Sequence, residues 1–266
     1  LPWQQTYLVS DALGQGVVLS SDGWIVTTSK VIASAKGGYM VATNDGMLRP
    51  ATMIAIDPAT DLVYLKVAAA NLSAATFARA SDINIGEQVV AIAIGSQSTK
   101  REVIPRFLAG LNSSGIVNNN GDLVKTSEYV QDVLVLDNQL PGNWQGAVVA
   151  KADGKVVGLA IGDEAVTYIY PLSTIDKIVS NLFTANKVSR PVLGVNYMSL
   201  SAVLPFIENK GDWPSAGVLL TKHSAARPAV KAGSPAAKVG LKENDVITSI
   251  AEERVNGLFS FSYLLN

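Results

Sequence analysis

The chain of 266 residues has no cysteine, so disulfides and thiolate metal sites are excluded, while a reducing cytosol and a cysteine-free exported protein both remain compatible. It has one histidine, His223, and no His and carboxylate cluster at metal-ligand spacing, so no metal and no cofactor is expected. No apolar run approaches the length that spans a bilayer, and no membrane contact is expected within this chain. Blocks of one charge are missing too: 21 Lys and Arg stand against 22 Asp and Glu, a net charge of −1, scattered along the sequence. That removes the basic footprint of a nucleic-acid binder. The chain opens on Leu1-Pro2-Trp3 without an initiating methionine, which leaves room for an upstream signal or anchor since removed.

What is there is ample apolar material, 48% of residues, in a chain long enough for two domains. From Gly14 onward short alternating runs recur: Val17-Val18-Leu19, Trp24 to Thr27, Tyr39 to Thr43, Ile54 to Ile56, Leu62 to Val67 and Val89 to Ile94. Turn residues punctuate them, Ser21-Asp22-Gly23 and Asn44-Asp45-Gly46 among them. A second set starts at Val103 and includes Tyr129 to Leu136, Gly146 to Ala150 and Val156 to Ile161, the last two joined by the turn Ala152-Asp153-Gly154-Lys155. Such a rhythm, with few long helical patterns, predicts an all-β-dominated barrel or sandwich. The Asn-, Ser- and Gly-rich stretch 112–122 reads as a mobile surface loop. Ile175, Ile178, Val179, Leu182 and Phe183 share one helical face, with Ser173 and Asp176 positioned to cap its start. This helix closes a first domain, 1–186, followed by a linker, 187–191, and a smaller domain, 192–266, whose last residues read as the opening of a helix in a unit that is cut short or has its tail unseen.

One stretch organises the rest. Pro141-Gly142-Asn143-Trp144-Gln145-Gly146 has the shape of a nucleophile loop, a Gly-Asn-X turn running into a strand, which sets X at a cleft with backbone N–H groups beneath it. X is Trp144, and an indole carries no nucleophilic oxygen or sulfur. Gly142 and Asn143 then belong to a former oxyanion loop.

The order of these segments resembles the HtrA family, trypsin-like serine proteases with a chymotrypsin-like double β-barrel followed by a PDZ domain. Gly14 to Ile32 is similar to the segment that carries that family's catalytic histidine, and Lys30 stands in its place. Asp57-Pro58-Ala59-Thr60-Asp61-Leu62 resembles the segment of the catalytic aspartate, which Asp61 matches. Ile85 to Ile92 resembles a further strand, and Gly142 to Gly146 lies on the nucleophile motif, with the serine and its following glycine replaced and about three extra residues around Asn138 to Leu140. Val192-Leu193-Gly194-Val195 resembles the carboxylate-binding loop of the family's PDZ domains, and Ser234 to Ile247 their second hallmark, with Asn244 where glycine is usual; Asn still reaches φ > 0.

The resemblance implies a fold at once and an activity only with its reacting residues, two of which are gone. The expectation is therefore a proteolytically inactive pseudoprotease acting as polypeptide-binding scaffold or regulator, with Val192, Leu193, Gly194 and Val195 taking peptide C-termini. Two other readings remain open: an endopeptidase with a rearranged centre, in which Lys30 serves as base, and a purely structural envelope subunit. Lys30 beside Asp61 otherwise reads as an ion pair filling an abandoned site. Trp144 reads as a recognition platform at the cleft mouth or as filling for a lost specificity pocket. His223 reads as an exposed loop histidine. Extracytoplasmic location, homo-oligomerisation and pairing with an active homologue are what the family suggests.

Overall fold

The computed structural model describes residues 11–32, 37–57, 59–60, 62–94, 101–113, 116–117, 123–127, 132–162, 166–173, 175–204, 213–255 and 261–265. The chain divides into two compact units, Leu1–Gly110 with Val133–Val188, and Leu111–Asp132 with Ser189–Asn266. The second is thus assembled from two separate pieces of sequence.

In the first unit β1 (Val17–Val18), β2 (Trp24–Thr28), β3 (Tyr39–Ala42), β4 (Leu48–Ile56) and β5 (Leu62–Val67) form an antiparallel sheet in the order β1-β2-β5-β4-β3. All five residues of β2 are buried, as its β-branched, central sequence demands. The turn before β2 needs Gly23: its φ is +105°, and a Cβ there would stand 2.2 Å from the Val67 carbonyl oxygen. Lys66 Nζ donates to Asp22 Oδ2 at 2.6 Å and lies 5.2 Å from the centre of a Trp24 ring. That ammonium first, and the Ser20 hydroxyl second, hold the Asp22 carboxyl below the usual carboxylate range.

β6 (Gln88–Ile94) and β7 (Arg101–Ser113) open a second sheet. The chain then makes β8 (Ile116–Val117) and β9 (Leu123–Thr126) before returning as β10 (Asp132–Leu136), β11 (Val148–Lys151), β12 (Val156–Gly162) and β13 (Thr167–Pro171). β10-β13-β12-β11-β6-β7 closes into a barrel. Val89, Ala91 and Ala93 of β6 point inward with the period of two that a strand imposes. Together with the five-stranded sheet, this closed barrel matches the chymotrypsin-like double β-barrel that the resemblance implies; the strand rhythm alone predicts only a barrel or sandwich.

Helix α1 (Ile175–Ala185) seals the two halves of this unit. Its Ile175, Ile178 and Leu182 enter one cluster with Val26, Leu62 and Tyr64 of the sheet and Leu159 of the barrel. Each such side chain contributes about 1.5–3 kcal/mol by burial. Phe183 stays 39% exposed, although its ring stacks on Trp24 with centroids 5.3 Å apart. Ser173 Oγ is buried and has no hydrogen-bond partner among the described residues, so the cap its spacing suggests is not seen there. The Asp176 side chain lies outside the described residues.

The second unit holds β14 (Asn196–Ser199), α2 (Leu200–Val203), β15 (Val218–Leu220), α3 (Pro235–Lys238), β16 (Val246–Ile247), β17 (Ser249–Ile250), β18 (Glu253–Arg254) and α4 (Phe261–Leu265). Its main sheet runs β16-β15-β14-β9-β8. Tyr197 of β14 faces a cluster with Val195, Val218, Leu220, Ala236 and Phe261, the two rings meeting edge on at 5.0 Å. Met198 faces the other way, with Val124, Leu200 and Leu219. Asn244 has φ +74°, the left-handed conformation its place in the turn requires. The stretch expected as a loop from residue 112 onward is strand at Leu111 to Ser113 and again at Ile116–Val117; residues 114–115 and 118–122 lie outside the described residues.

Candidate functional site

Three segments of the first unit converge at the nucleophile-type loop. After β2 the chain turns through Thr28 to Val31, closed by the Val31 N–H donating to the Thr28 carbonyl at 3.0 Å. Lys30 is exposed on that turn while Val31 is buried. Val31 Cγ2 lies so near that a Cβ on Gly14 would come within 2.5 Å of it, and one on Gly146 within 3.2 Å. The Gln15 N–H donates to the Gln145 carbonyl at 3.2 Å. Residues 14–15, 31 and 145–146 are therefore packed into one locus.

Asp61 lies outside the described residues, and so does its pairing with Lys30. Sequence reasoning passed over Asp57, four residues earlier. Asp57 is fully buried; its Oδ1 accepts from the Ala59 N–H at 3.0 Å and its Oδ2 from the Thr60 hydroxyl at 2.7 Å. Its own N–H donates to the Leu62 carbonyl at 2.8 Å. A carboxylate so enclosed by local donors fixes the turn that leads into β5. An Asp-Pro-x-Thr run is the signal that could have found it.

At the loop itself the Trp144 side chain is buried, 2% exposed, and so presents no open aromatic face. The Trp144 backbone N–H donates to the Pro141 carbonyl at 2.8 Å, closing a turn over Pro141 to Trp144. By the resemblance, that amide and the one two residues upstream at Gly142 would be the two donors to an oxyanion. Here the Trp144 amide is turned onto the chain's own backbone. Gly142 and Asn143 are exposed. Gly146 has φ +73°, and a Cβ on it would sit 2.3 Å from the Gln15 carbonyl oxygen, so this position accepts only glycine.

A second loop of interest lies in the other unit. Gly194 has φ +79°, with its missing Cβ 2.4 Å from Ser234 Cβ. The Leu193 carbonyl accepts from the Ala236 N–H at 3.1 Å, seating the loop on α3, and Ser234 caps α3 through the Ala237 N–H at 3.2 Å. The Gly194 and Val195 N–H groups point the same way, both donating to Ser127 Oγ, at 3.2 and 3.1 Å. His223 is half-buried rather than exposed: both ring nitrogens are buried without a hydrogen-bond partner among the described atoms, since its backbone is drawn in by the His223 N–H to Arg227 carbonyl bond of 3.0 Å. No group of three or more His, Asp or Glu able to hold a metal occurs among the described residues.

The barrels and the converging loops define a trypsin-like peptidase fold, and residues 14–159, more than half of the chain, match the trypsin-like peptidase domain family; the chain belongs to it. Within that class its relatives are HtrA-type. It is 32% identical over 253 residues to a probable periplasmic serine endoprotease DegP-like of Bartonella henselae, covering 92% of this chain and 46% of that protein. With the serine protease Do-like HtrA of Lactococcus lactis it shares 28% over 262 residues, covering 91% and 61%. The chain spans about half the length of the DegP-like relatives it matches. Among solved structures the HtrA-type protease AlgW with decapeptide superposes with a TM-score of 0.59 at 25% identity, covering 92% of this chain and 72% of that one. No helix among the described residues is long and apolar enough to cross a membrane.

Proposed function

We propose that this chain is a proteolytically inactive HtrA-like protein that binds polypeptide ends outside the cytoplasm. In this reading 1–186 is the protease-fold domain, 187–191 a linker and 192–266 a PDZ domain. The observation that carries it is Trp144: the residue at the elbow has no nucleophilic atom, is buried, and has its amide engaged by Pro141. The absence of any histidine but His223 supports the same conclusion, because a serine-type hydrolase needs a base at the position of Lys30. Peptide binding is supported by the paired amides of Gly194 and Val195, a geometry suited to a terminal carboxylate, and by the peptide named with the AlgW structure. Extracytoplasmic placement is supported by relatives named as periplasmic. Scaffolding or regulation, through self-association or through an active homologue, is the role such a protein can fill.

A fluorophosphonate probe and an unfolded-protein digest test this together. The expected outcome is no covalent labelling and no cleavage from mildly acidic to alkaline pH. A labelled serine, or turnover that survives controls for contaminating protease, overturns it in favour of a rearranged catalytic centre.

A further inference from the structure

The loop Val192 to Val195 already has a strand beside it, and the strand is the chain's own. β9 pairs antiparallel with β14, Thr126 opposite Asn196 and Lys125 opposite Tyr197. The pairing runs one residue further, where the Ser127 N–H donates to the Val195 carbonyl at 2.9 Å. The same residue's Oγ accepts from Gly194 N–H at 3.2 Å and from Val195 N–H at 3.1 Å. Ser127 is 1% exposed. A hydroxyl oxygen therefore stands where two convergent amides would receive an oxygen of a terminal carboxylate. On its other edge β14 pairs with β15, so neither edge is open to a further strand.

We propose that Leu123–Ser127 is a built-in ligand of this loop, and that a polypeptide with a free C-terminus binds only by displacing it. The inference rests on the reading of Val192 to Val195 as a carboxylate-binding loop. Strand addition uses the backbone edge of β14 for affinity and the loop amides for the chain end. Both are taken by one continuous segment, so internal and external ligands exclude each other. The contest is uneven in two directions. A carboxylate accepts charge-assisted hydrogen bonds about twice as strong as those to a neutral hydroxyl, which favours the external end. The internal segment is tethered, with an effective concentration on the order of millimolar, and is anchored by Val124 among Met198, Leu200 and Leu219. The apparent affinity of the intact chain is then the intrinsic affinity scaled down by the fraction in which the segment is out. Ser127 is the pivot, because among the described residues it alone supplies the oxygen.

The test uses the full chain, its Ser127→Ala variant and Ser127→Thr, which keeps the hydroxyl. The probe is a fluorescently labelled peptide Leu-Val-Lys-Thr-Ser, the sequence of residues 123–127, as free acid and as C-terminal amide. Anisotropy reads binding, and hydrogen exchange reads the Gly194 and Val195 amides, with Leu219 and Leu220 in β15 as the fold control. The free acid is expected to bind Ser127→Ala about tenfold or more tightly than the intact chain. Ser127→Thr is expected to behave as the intact chain, and the amide form to bind none of the three. Without peptide, Gly194 and Val195 should lose protection in Ser127→Ala, and the free acid should restore it. Equal affinity of the acid for all three proteins overturns the built-in ligand and leaves the peptide-binding reading standing. Binding by none overturns both. Unchanged protection of Gly194 and Val195 in Ser127→Ala overturns the contact itself.

Discussion

The loop at Trp144 and the loop at Gly194 are built alike and end differently. Each bends through a glycine with positive φ, +73° at Gly146 and +79° at Gly194, at a place where a Cβ would strike a neighbour. In the first, the Trp144 amide closes back onto Pro141, within the same turn. In the second, two amides converge on a single oxygen brought from 67 and 68 residues away in sequence. A donor satisfied by its own turn is inert, whereas donors satisfied by a removable segment can exchange one acceptor for another. The difference teaches that two loops of like backbone differ in what their amides can bind, and that a ligand is to be sought where donors still face outward from their own loop.

The largest effects should fall on the first loop and be purely structural. Trp144→Ser removes a buried indole and is expected to cost about 3–5 kcal/mol, read by urea unfolding. It should yield no proteolysis, because the new hydroxyl finds only the exposed Lys30 at the place of the base. Acylation by this variant alone would show that Lys30 can accept the proton. At the second loop Gly194→Ala combines left-handed backbone strain with the close approach to Ser234, and about 2–4 kcal/mol is expected. If Gly194→Ala proved as mild as a surface change, the loop would be looser than its geometry states, and the comparison between the two loops would fail. Ser127→Ala should cost less, about 1–3 kcal/mol, since it leaves two buried amides without an acceptor and disturbs little packing.

These contrasts follow what was and was not legible in the sequence. β5 at Leu62–Val67 and the face of α1 carried by Ile175, Ile178 and Leu182 were readable because period and turn residues sit next to each other along the chain. That Trp144 carries no nucleophilic atom was readable because nucleophilicity is a matter of residue type, but its burial was not, since that depends on which segments converge on it. β9 was missed altogether. Four residues, Leu123 to Thr126, beside an Asn- and Gly-rich stretch carry no periodic signal, and their partner β14 is distant in the sequence. His223 was misread for the same reason: one ring's burial is decided by a local β-bridge between Ser224 and Arg227, not by composition.

The smallest effect is expected at Lys30, where a charge at the position the resemblance matches to a catalytic histidine could have mattered to stability. An ion pair matters when burial strips water from both charges, for then removing one partner leaves the other stranded at a cost of about 3–5 kcal/mol. Lys30 is exposed on the turn after β2, so its ammonium remains solvated whatever carboxylate it faces. A solvated pair is worth about 0–1 kcal/mol, and the change adds a thioether that solvent tolerates. Lys30→Met is therefore expected to shift stability by no more than about 0.5 kcal/mol. In a double-mutant cycle with Asp61→Leu, the coupling energy should be equally small. Chemical denaturation of the four proteins at one pH measures it. A coupling above about 1.5 kcal/mol would place Lys30 and Asp61 in a shielded pair and give this loop an electrostatic part in the fold that its exposed lysine denies.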